Sequence, residues 1–337
     1  MIEIDGSIGG GQIIRTALSL SVITNKPFKI VDIRGKRENS GLRNQHLTCV
    51  NAISQICNAN VKGNEIGSTV LEFFPFKVIP NNYNFDIGTA GSTVLVLQTL
   101  LPALVFADKK SVIEIKGGTA NPLAPPALDV KEVFLWFLKR LNINVHLSIE
   151  REGFYPKGGG IIKIIINPCK ELGDIKFTDR IDKNIVINLF ADCSKSLKDK
   201  NISKRLIKGF KLNFHISHSI NCKEVYCDTL NSGCYIHANF ETSNSKIGMT
   251  VLGEVGRKSE DVGKECALKL LDEINSRVTV DFFTADQLLI YLGLKGYGSI
   301  KVSHITDHIK TNITTIEKFL DVRFEIIDKI ISCNKLV

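Results

Sequence analysis

The sequence predicts an α/β (α+β) protein built from three repeated βα units, with a smaller α/β domain inserted late in the chain. One rhythm recurs along the 337 residues: a glycine or polar turn, an apolar helix, a strand ending in a polar loop, a second helix, then strands. The pattern lapses over residues 178–275, which we read as the insert, leaving 1–177 and 276–337 as the main domain. At roughly 100–200 residues per domain, the length suits this division. A composition of 44% hydrophobic and 23% charged residues is that of a packed globular chain rather than a disordered one.

The first unit runs from Gly9 to about Pro75. Its first helix follows Gly9-Gly10-Gly11 and sets Ile13, Ile14, Ala17, Leu18 and Val22 on one face. A strand over Phe28–Ile33 leads into the basic loop Arg34–Arg43, and a second helix aligns Leu47, Val50, Ile53 and Cys57. The second unit begins at Gly88-Thr89-Ala90-Gly91-Ser92 and continues through an apolar helix over 93–107 and a strand over Val112–Lys116. Its second helix starts near Pro126, a residue suited to a first helical turn, and strands around Ile143–Ile149 and Gly160–Ile166 close it. The third unit reads as helix Ala285–Leu294, strand Ser299–His304, loop Ile305–Thr311, helix Asn312–Leu320 and strand Val322–Ile327.

The insert has its own strand, Ile185–Phe190, and a helix carrying Lys195, Lys198, Lys200, Lys204, Arg205, Lys208 and Lys211. Such a run grips a phosphate backbone or is simply a solvated face.

Val94–Ala107 and Ile161–Ile166 are too short or interrupted to cross about 30 Å of hydrocarbon, so no membrane partner is expected. Met1-Ile2-Glu3-Ile4-Asp5 lacks the basic and apolar regions of a secretory signal, and we expect a cytoplasmic protein. Nine cysteines without a C-x-x-C pair fit neither a disulfide scaffold nor a zinc knuckle, although Cys222, Cys227 and Cys234 are close enough in sequence to offer one bridge. Forty-three Lys+Arg against 35 Asp+Glu give a net charge of +8, which favours a polyanionic partner.

Three loops can carry chemistry. Gly9-Gly10-Gly11 opens a helix whose free N–H groups and dipole suit an anion, and Arg15 one turn later adds a charge-assisted donor. Arg34–His46 holds four cations, Arg34, Lys36, Arg37 and Arg43, against one acid, a density that suits a terminal phosphate. His308 precedes a helix opened by Thr311 or Asn312, whose positive end disfavours a further positive charge and keeps the imidazole nucleophilic. His304, at the end of the preceding strand, is the competing candidate.

Taken together these segments resemble the RNA 3'-terminal phosphate cyclase family along nearly the whole chain. The resemblance is carried by Asp5-Gly6-Ser7 with Gly9-Gly10-Gly11-Gln12-Ile13-Ile14-Arg15, by Ser40-Gly41-Leu42-Arg43-Asn44-Gln45-His46-Leu47, and by Gly88-Thr89-Ala90-Gly91-Ser92 with Leu97-Gln98. It continues in Gly117-Gly118-Thr119-Ala120-Asn121-Pro122 with Ala124-Pro125-Pro126, and in Gly153-Phe154-Tyr155-Pro156 with Gly158-Gly159-Gly160. Ala285-Asp286-Gln287-Leu288-Leu289 and His308-Ile309-Lys310-Thr311-Asn312 complete it.

The resemblance implies three repeated units as in enolpyruvyl transferases, and an ATP-dependent conversion of an RNA 3'-phosphate to a 2',3'-cyclic phosphate. Three steps are implied: a histidine attacks the α-phosphorus of ATP, AMP passes to the RNA 3'-phosphate, and the vicinal 2'-hydroxyl closes the ring. His308 matches the adenylated histidine. Gln98, Pro126 and Phe283, Thr284, Ala285, Asp286 and Gln287 would line the ATP site, Phe283 by stacking on adenine. Arg15, Arg37, Arg43, Gln45 and His46 would bind the RNA phosphate.

A divalent cation, Mg²⁺ in the first instance, is implied as well. The family's glycine loop is longer and carries a glutamate able to hold that metal, whereas Gly6-Ser7-Ile8 runs here straight into Gly9-Gly10-Gly11, so no metal ligand is assigned. The departure keeps open a non-catalytic RNA-binding relative of the kind that serves ribosomal RNA processing. A transferase acting on an anionic metabolite is a third reading, less suited to the basic insert.

Overall fold

The computed structural model describes residues 1–8, 10–122 and 124–336. In the first unit, β1 (Ile2–Asp5), α1 (Gly11–Thr24), β2 (Phe28–Val31), α2 (Asn44–Cys57), β3 (Asn60–Lys62) and β4 (Leu71–Phe74) follow in order. The second unit comprises β5 (Asn82–Asp86), α3 (Thr93–Val105), β6 (Ser111–Gly117), α4 (Ala127–Asp129), a π-helical turn (Val130–Phe134), α5 (Leu135–Arg140), β7 (Val145–Arg151) and β8 (Gly160–Ile166). Then come β9 (Lys176–Phe177) and the insert: β10 (Val186–Ser194), a 3₁₀ segment (Lys195–Lys200), α6 (Ile202–Asn213), β11 (Ile220–Cys227), β12 (Cys234–Glu241), β13 (Lys246–Leu252) and α7 (Ser259–Asn275). The chain closes with α8 (Phe282–Lys295), β14 (Tyr297–Lys301), α9 (Asp307–Phe319), β15 (Val322–Ile327) and β16 (Ile330–Lys335).

Each unit builds the same four-stranded sheet. The strand orders are β1-β2-β4-β3, β5-β6-β8-β7 and β9-β14-β16-β15, always with the first two strands parallel and the other pairings antiparallel. The parallel pair needs a crossover, which α1, α3 and α8 supply. Every unit therefore starts with a strand, not with the glycine turn and helix from which the sequence reading counted. These opening strands are two to five residues long, too short for alternation to reveal them. Because β9 belongs to the third sheet, the insert lies inside the third unit, between its first strand and α8, rather than between units.

One apolar core runs through all three units, from Ile4 and Ile14 through Leu100 and Ile164 to Leu288 and Ile316. The insert has a separate core between its sheet and helices α6 and α7, including Leu189, Phe210, Ile236 and Leu270. A small cluster of Ala120, Leu128, Phe154 and Tyr235 joins the two. Across that junction the Tyr235 hydroxyl donates to Glu152 Oε1 at 2.8 Å and Trp136 Nε1 donates to Glu241 Oε1 at 2.7 Å.

Several local expectations need correction. The Thr306 hydroxyl accepts the Ile309 N–H at 3.1 Å, so α9 is capped by Thr306 and begins at Asp307, not at Asn312. His308 thus lies in the first turn of a helix rather than in a loop. The third unit's middle strand ends at Lys301, three residues before His304. The basic stretch of the insert is two pieces, a 3₁₀ segment and α6, separated by Asn201 with φ 52°. All nine cysteines are free thiols. Strand β10 lies between β11, which carries Cys222 and Cys227, and β12, which carries Cys234. Two strand spacings of about 4.8 Å exceed disulfide reach, and the residue opposite Cys234 is Cys193.

Among the described residues no helix is long and apolar enough to cross a membrane.

Candidate active site

Helix α1 starts without a side-chain cap and without an acid in its first turn, and so does α2. Their leading N–H groups are therefore left for an external acceptor. The two helix starts are packed together: a Cβ on Gly11 would collide with the His46 ring and come within 3.1 Å of an Arg15 guanidinium nitrogen. Only glycine leaves that space. The start of α3 joins them, because the Ser92 N–H donates to Gln45 Oε1 at 3.1 Å.

Around these helix ends no arginine among the described residues is ion-paired with a carboxylate. Burial and the neighbouring Arg43 and Arg37 lower the pKa of Arg34, and burial lowers that of Arg15. The arginines paired with carboxylates are Arg180, Arg205, Arg257, Arg277 and Arg323, none of them in this cluster. His46 accepts the Arg43 N–H on Nδ1 at 3.2 Å, which leaves the proton of a neutral ring on Nε2. Burial first, then Arg15, Arg34 and Arg43, push its pKa down to about 3. Arg34 is spent on its own loop, donating to the carbonyls of Asn39 at 2.7 Å and Gly41 at 3.1 Å, while Arg37 and Arg43 are exposed. Arg37 also reaches within 4.0 Å of the place where a Gly10 Cβ would stand. Gly9, named in the sequence reading, is outside the described residues.

Beside this anion-ready surface lies a small cleft between α1, α3 and α8. Its apolar walls are Leu101, Pro102, Phe134 and Ile290, and its polar groups include Arg15, Gln98, Asp286, Gln287 and Tyr291. Gln12 Oε1, Gln287 Oε1 and the Tyr291 hydroxyl are buried there without a partner, the condition of a site awaiting a hydrogen-bonding ligand.

Asp286 ties three helices together. Gln12 Nε2 of α1 donates to its Oδ1 at 2.5 Å, and Asn312 Nδ2 of α9 donates to the same oxygen at 3.2 Å. The Thr16 hydroxyl then donates to Asn312 Oδ1 at 2.8 Å. Burial raises the Asp286 pKa, and the Gln12 bond, His308, Asn312 and Arg15 offset part of that rise. His308 is exposed one helical turn before Asn312, whose side-chain amide bonds Asp286.

The structure thus gathers Arg15, Gln98, Asp286 and Gln287 at one cleft, with His308 one turn before Asn312, which lines it, and Arg37, Arg43, Gln45 and His46 at the adjoining helix ends. Phe283 is half exposed and packs on Phe282 at 4.0 Å between ring centroids. Thr284 and Ala285 are fully buried, the Thr284 hydroxyl being given to Asp281 at 3.0 Å. Pro126 is buried at the start of α4 and is not among the residues that line the cleft. Gln12, Thr16 and Asn312 had no assigned role in the sequence reading. The i, i+4 spacing of Gln12 with Thr16 and of His308 with Asn312 was the available signal.

For a divalent cation the donor set does not fit. Among the described residues no three His, Cys, Asp or Glu side chains converge, and Asp286, which lines the cleft, is already engaged by Gln12 and Asn312.

The protonation of His46 has a measurable consequence. A second buried histidine, His237 of the insert, is also lowered to about 3 by burial and by Lys246. Both pKa values are depressed on folding, so the stability they contribute is complete above the unfolded value near 6.5 and is lost as pH falls toward 3. We expect unfolding stability to drop between pH 7 and 5 by on the order of 1–2 kcal/mol per histidine, with His46→Gln removing one share of the slope in denaturant titrations.

The family model for RNA 3'-terminal phosphate cyclase matches residues 7–326. The chain is 39% identical over 331 residues to the RNA 3'-terminal phosphate cyclase of Thermococcus onnurineus, covering 97% of this chain and 95% of that one. It is 39% identical over 337 residues to the protein of the same name from Saccharolobus solfataricus, covering 98% and 97%. Among solved structures, the enolpyruvyl transferase NikO from Streptomyces tendae aligns with 98% of this chain and 81% of its own at 8% identity and TM-score 0.25, too distant to carry an argument. With these matches spanning nearly all of its length, the chain belongs to the RNA 3'-terminal phosphate cyclase family.

Proposed function

We propose that the protein is an ATP-dependent RNA 3'-phosphate cyclase, a nucleotidyl-transferring enzyme of the ligase class. The observation that carries the reading is His308 on the first turn of α9, beside a cleft with unpartnered polar groups and a cluster of unpaired arginines. A ring nitrogen of His308 attacks the α-phosphorus of ATP. The bond to the bridging oxygen breaks and pyrophosphate leaves, giving AMP joined to histidine. An oxygen of the RNA 3'-phosphate then attacks the same phosphorus, and the P–N bond electrons return to the imidazole. Finally the 2'-oxygen attacks the 3'-phosphorus, its proton is lost, and AMP departs with the former anhydride oxygen.

This sequence explains the use of AMP. A 3'-phosphate offers no good leaving group until it is capped, and the neighbouring 2'-hydroxyl then reacts with the effective molarity of an intramolecular step. Arg15, Arg37 and Arg43 offset charge accumulating on the phosphorus oxygens, and His46 Nε2–H with the open N–H groups of α1 and α2 donates to the same anion. The cleft receives the base: Leu101, Phe134 and Ile290 line its apolar walls, Gln98 and Gln287 bond its edge, and the exposed Phe283, one turn before Gln287 on α8, offers a ring to stack on it. A divalent cation would be brought by the triphosphate, and we assign it no protein ligand.

The test combines pure protein with α-labelled ATP and Mg²⁺, then adds an oligoribonucleotide ending in 3'-phosphate. Labelled protein that discharges as the RNA end becomes resistant to phosphatase supports the reading. A protein that binds the oligonucleotide yet takes no label would instead be a non-catalytic RNA-binding member of the family.

A further inference from the structure

The turn between β7 and β8 has no part in the chemistry above, yet it holds Tyr155 69% exposed. A single exposed aromatic needs no explanation. Its surroundings make this one different. The Gly158 N–H donates to the Phe154 carbonyl at 2.8 Å, Arg151 Nε donates to the Gly159 carbonyl at 2.6 Å, and the Phe154 ring is buried against Tyr235 of the insert. Gly158, at φ +67°, rests on the glycine turn before α3, where a Cβ would come within 2.8 Å of Ala90 Cα. That turn is the one whose Ser92 N–H meets Gln45.

On its other side the loop touches the insert. The Lys157 N–H donates to Asn231 Oδ1 at 3.2 Å, and the neighbouring Ser232 hydroxyl bonds Ser196 at 2.7 Å, at the start of the 3₁₀ segment. A chain of contacts therefore leads from Gln45, over the glycine turn and the loop of exposed Tyr155 and Lys157, to the segment of exposed Lys198 and Lys200. Cations interleaved with an exposed aromatic ring on an anchored loop are the chemistry that holds a single nucleic-acid strand.

We propose that Tyr155 is a stacking platform for a base of the RNA upstream of its 3' end, with Lys157 on the adjacent phosphate and the strand continuing to Lys198 and Lys200 of the insert. The proposal rests on RNA being the substrate, and it assigns the insert the role of holding the body of the strand.

The experiment measures binding of a 5'-fluorescent ribodecamer ending in 3'-phosphate by anisotropy, with a nucleoside 3'-monophosphate as competitor. Tyr155→Ala should weaken the decamer about 5- to 100-fold while leaving competition by the mononucleotide unchanged, and Tyr155→Trp should restore the affinity. Lys157→Ala should reduce the salt dependence of decamer binding by about 0.7 in log–log slope. Decamer affinity within twofold of wild type in Tyr155→Ala would overturn the proposal, as would equal weakening of decamer and mononucleotide, which marks a purely structural role. A wild-type protein that binds the decamer no more tightly than the mononucleotide would overturn it too. If the decamer binds through Tyr155 but is never cyclised, the platform stands and the cyclase reading falls.

Discussion

His308→Ala should eliminate protein labelling from α-labelled ATP, and RNA cyclisation with it, by at least about three orders of magnitude, because the proposed covalent intermediate forms on its imidazole. His308 is exposed at the first turn of α9, so its removal should leave unfolding stability within about 0.5 kcal/mol of wild type. His304 is the informative control. Its Nδ1 lies 2.9 Å from the Ser303 hydroxyl and its ring packs 4.2 Å from Phe282, while Ser303 is bonded in turn to Glu273 at 2.6 Å. Those contacts tie it to the region where the insert rejoins the third unit rather than to Asp286. His304→Ala should keep the label. Label retained in His308→Ala and lost in His304→Ala would reverse the assignment.

Arg15→Ala should separate activity from stability. Arg15 lies within the cleft with no paired carboxylate, and burial already disfavours its charge. Removing a pre-positioned cation from a site where negative charge accumulates costs about 10²- to 10³-fold in rate. The same removal takes a positive charge away from Arg34, Arg43 and His46 but also from Asp286, so the two effects on stability oppose, the net change should stay within about 1 kcal/mol, and the His46 pKa should rise. Single-turnover kinetics, a denaturant melt and an NMR titration of His46 read the three effects. A large loss of stability would mean that Arg15 supports the fold, and the rate loss would then say little about phosphate.

What the sequence revealed was local. Helices α1 and α2 are legible because apolar residues recur on one face, α3 because it is apolar nearly throughout, and β8 because it is a run of isoleucines bounded by glycine and Asn167. The opening strands were not legible, since four residues such as Ile2–Asp5 become a strand only when Phe28–Val31 lies beside them. The start of α9 is hidden in the sequence because Asp307, His308, Lys310 and Thr311 are polar and Thr306, Thr311 and Asn312 are all suitable cap residues. The cation cluster could be seen as a density of charge. That Arg34 is consumed by its own loop while Arg15 stays free could not, and the union of Gln12, Asp286 and Asn312 joins residues 274 positions apart.

The placement of the insert has a temporal side. Thr279, just before α8, donates its hydroxyl to the Phe177 carbonyl at the end of β9, a contact between residues 102 positions apart. Strand β9 therefore leaves the ribosome long before the strand it must pair with. The first two units can close while they emerge, but the third waits for the insert to be made. Loop closure grows only slowly with length, so the added segment costs little at equilibrium; it is paid in delay. For that interval β9 is an unpaired edge. Its length of two residues, one of them lysine, makes it a poor template for another chain during the wait.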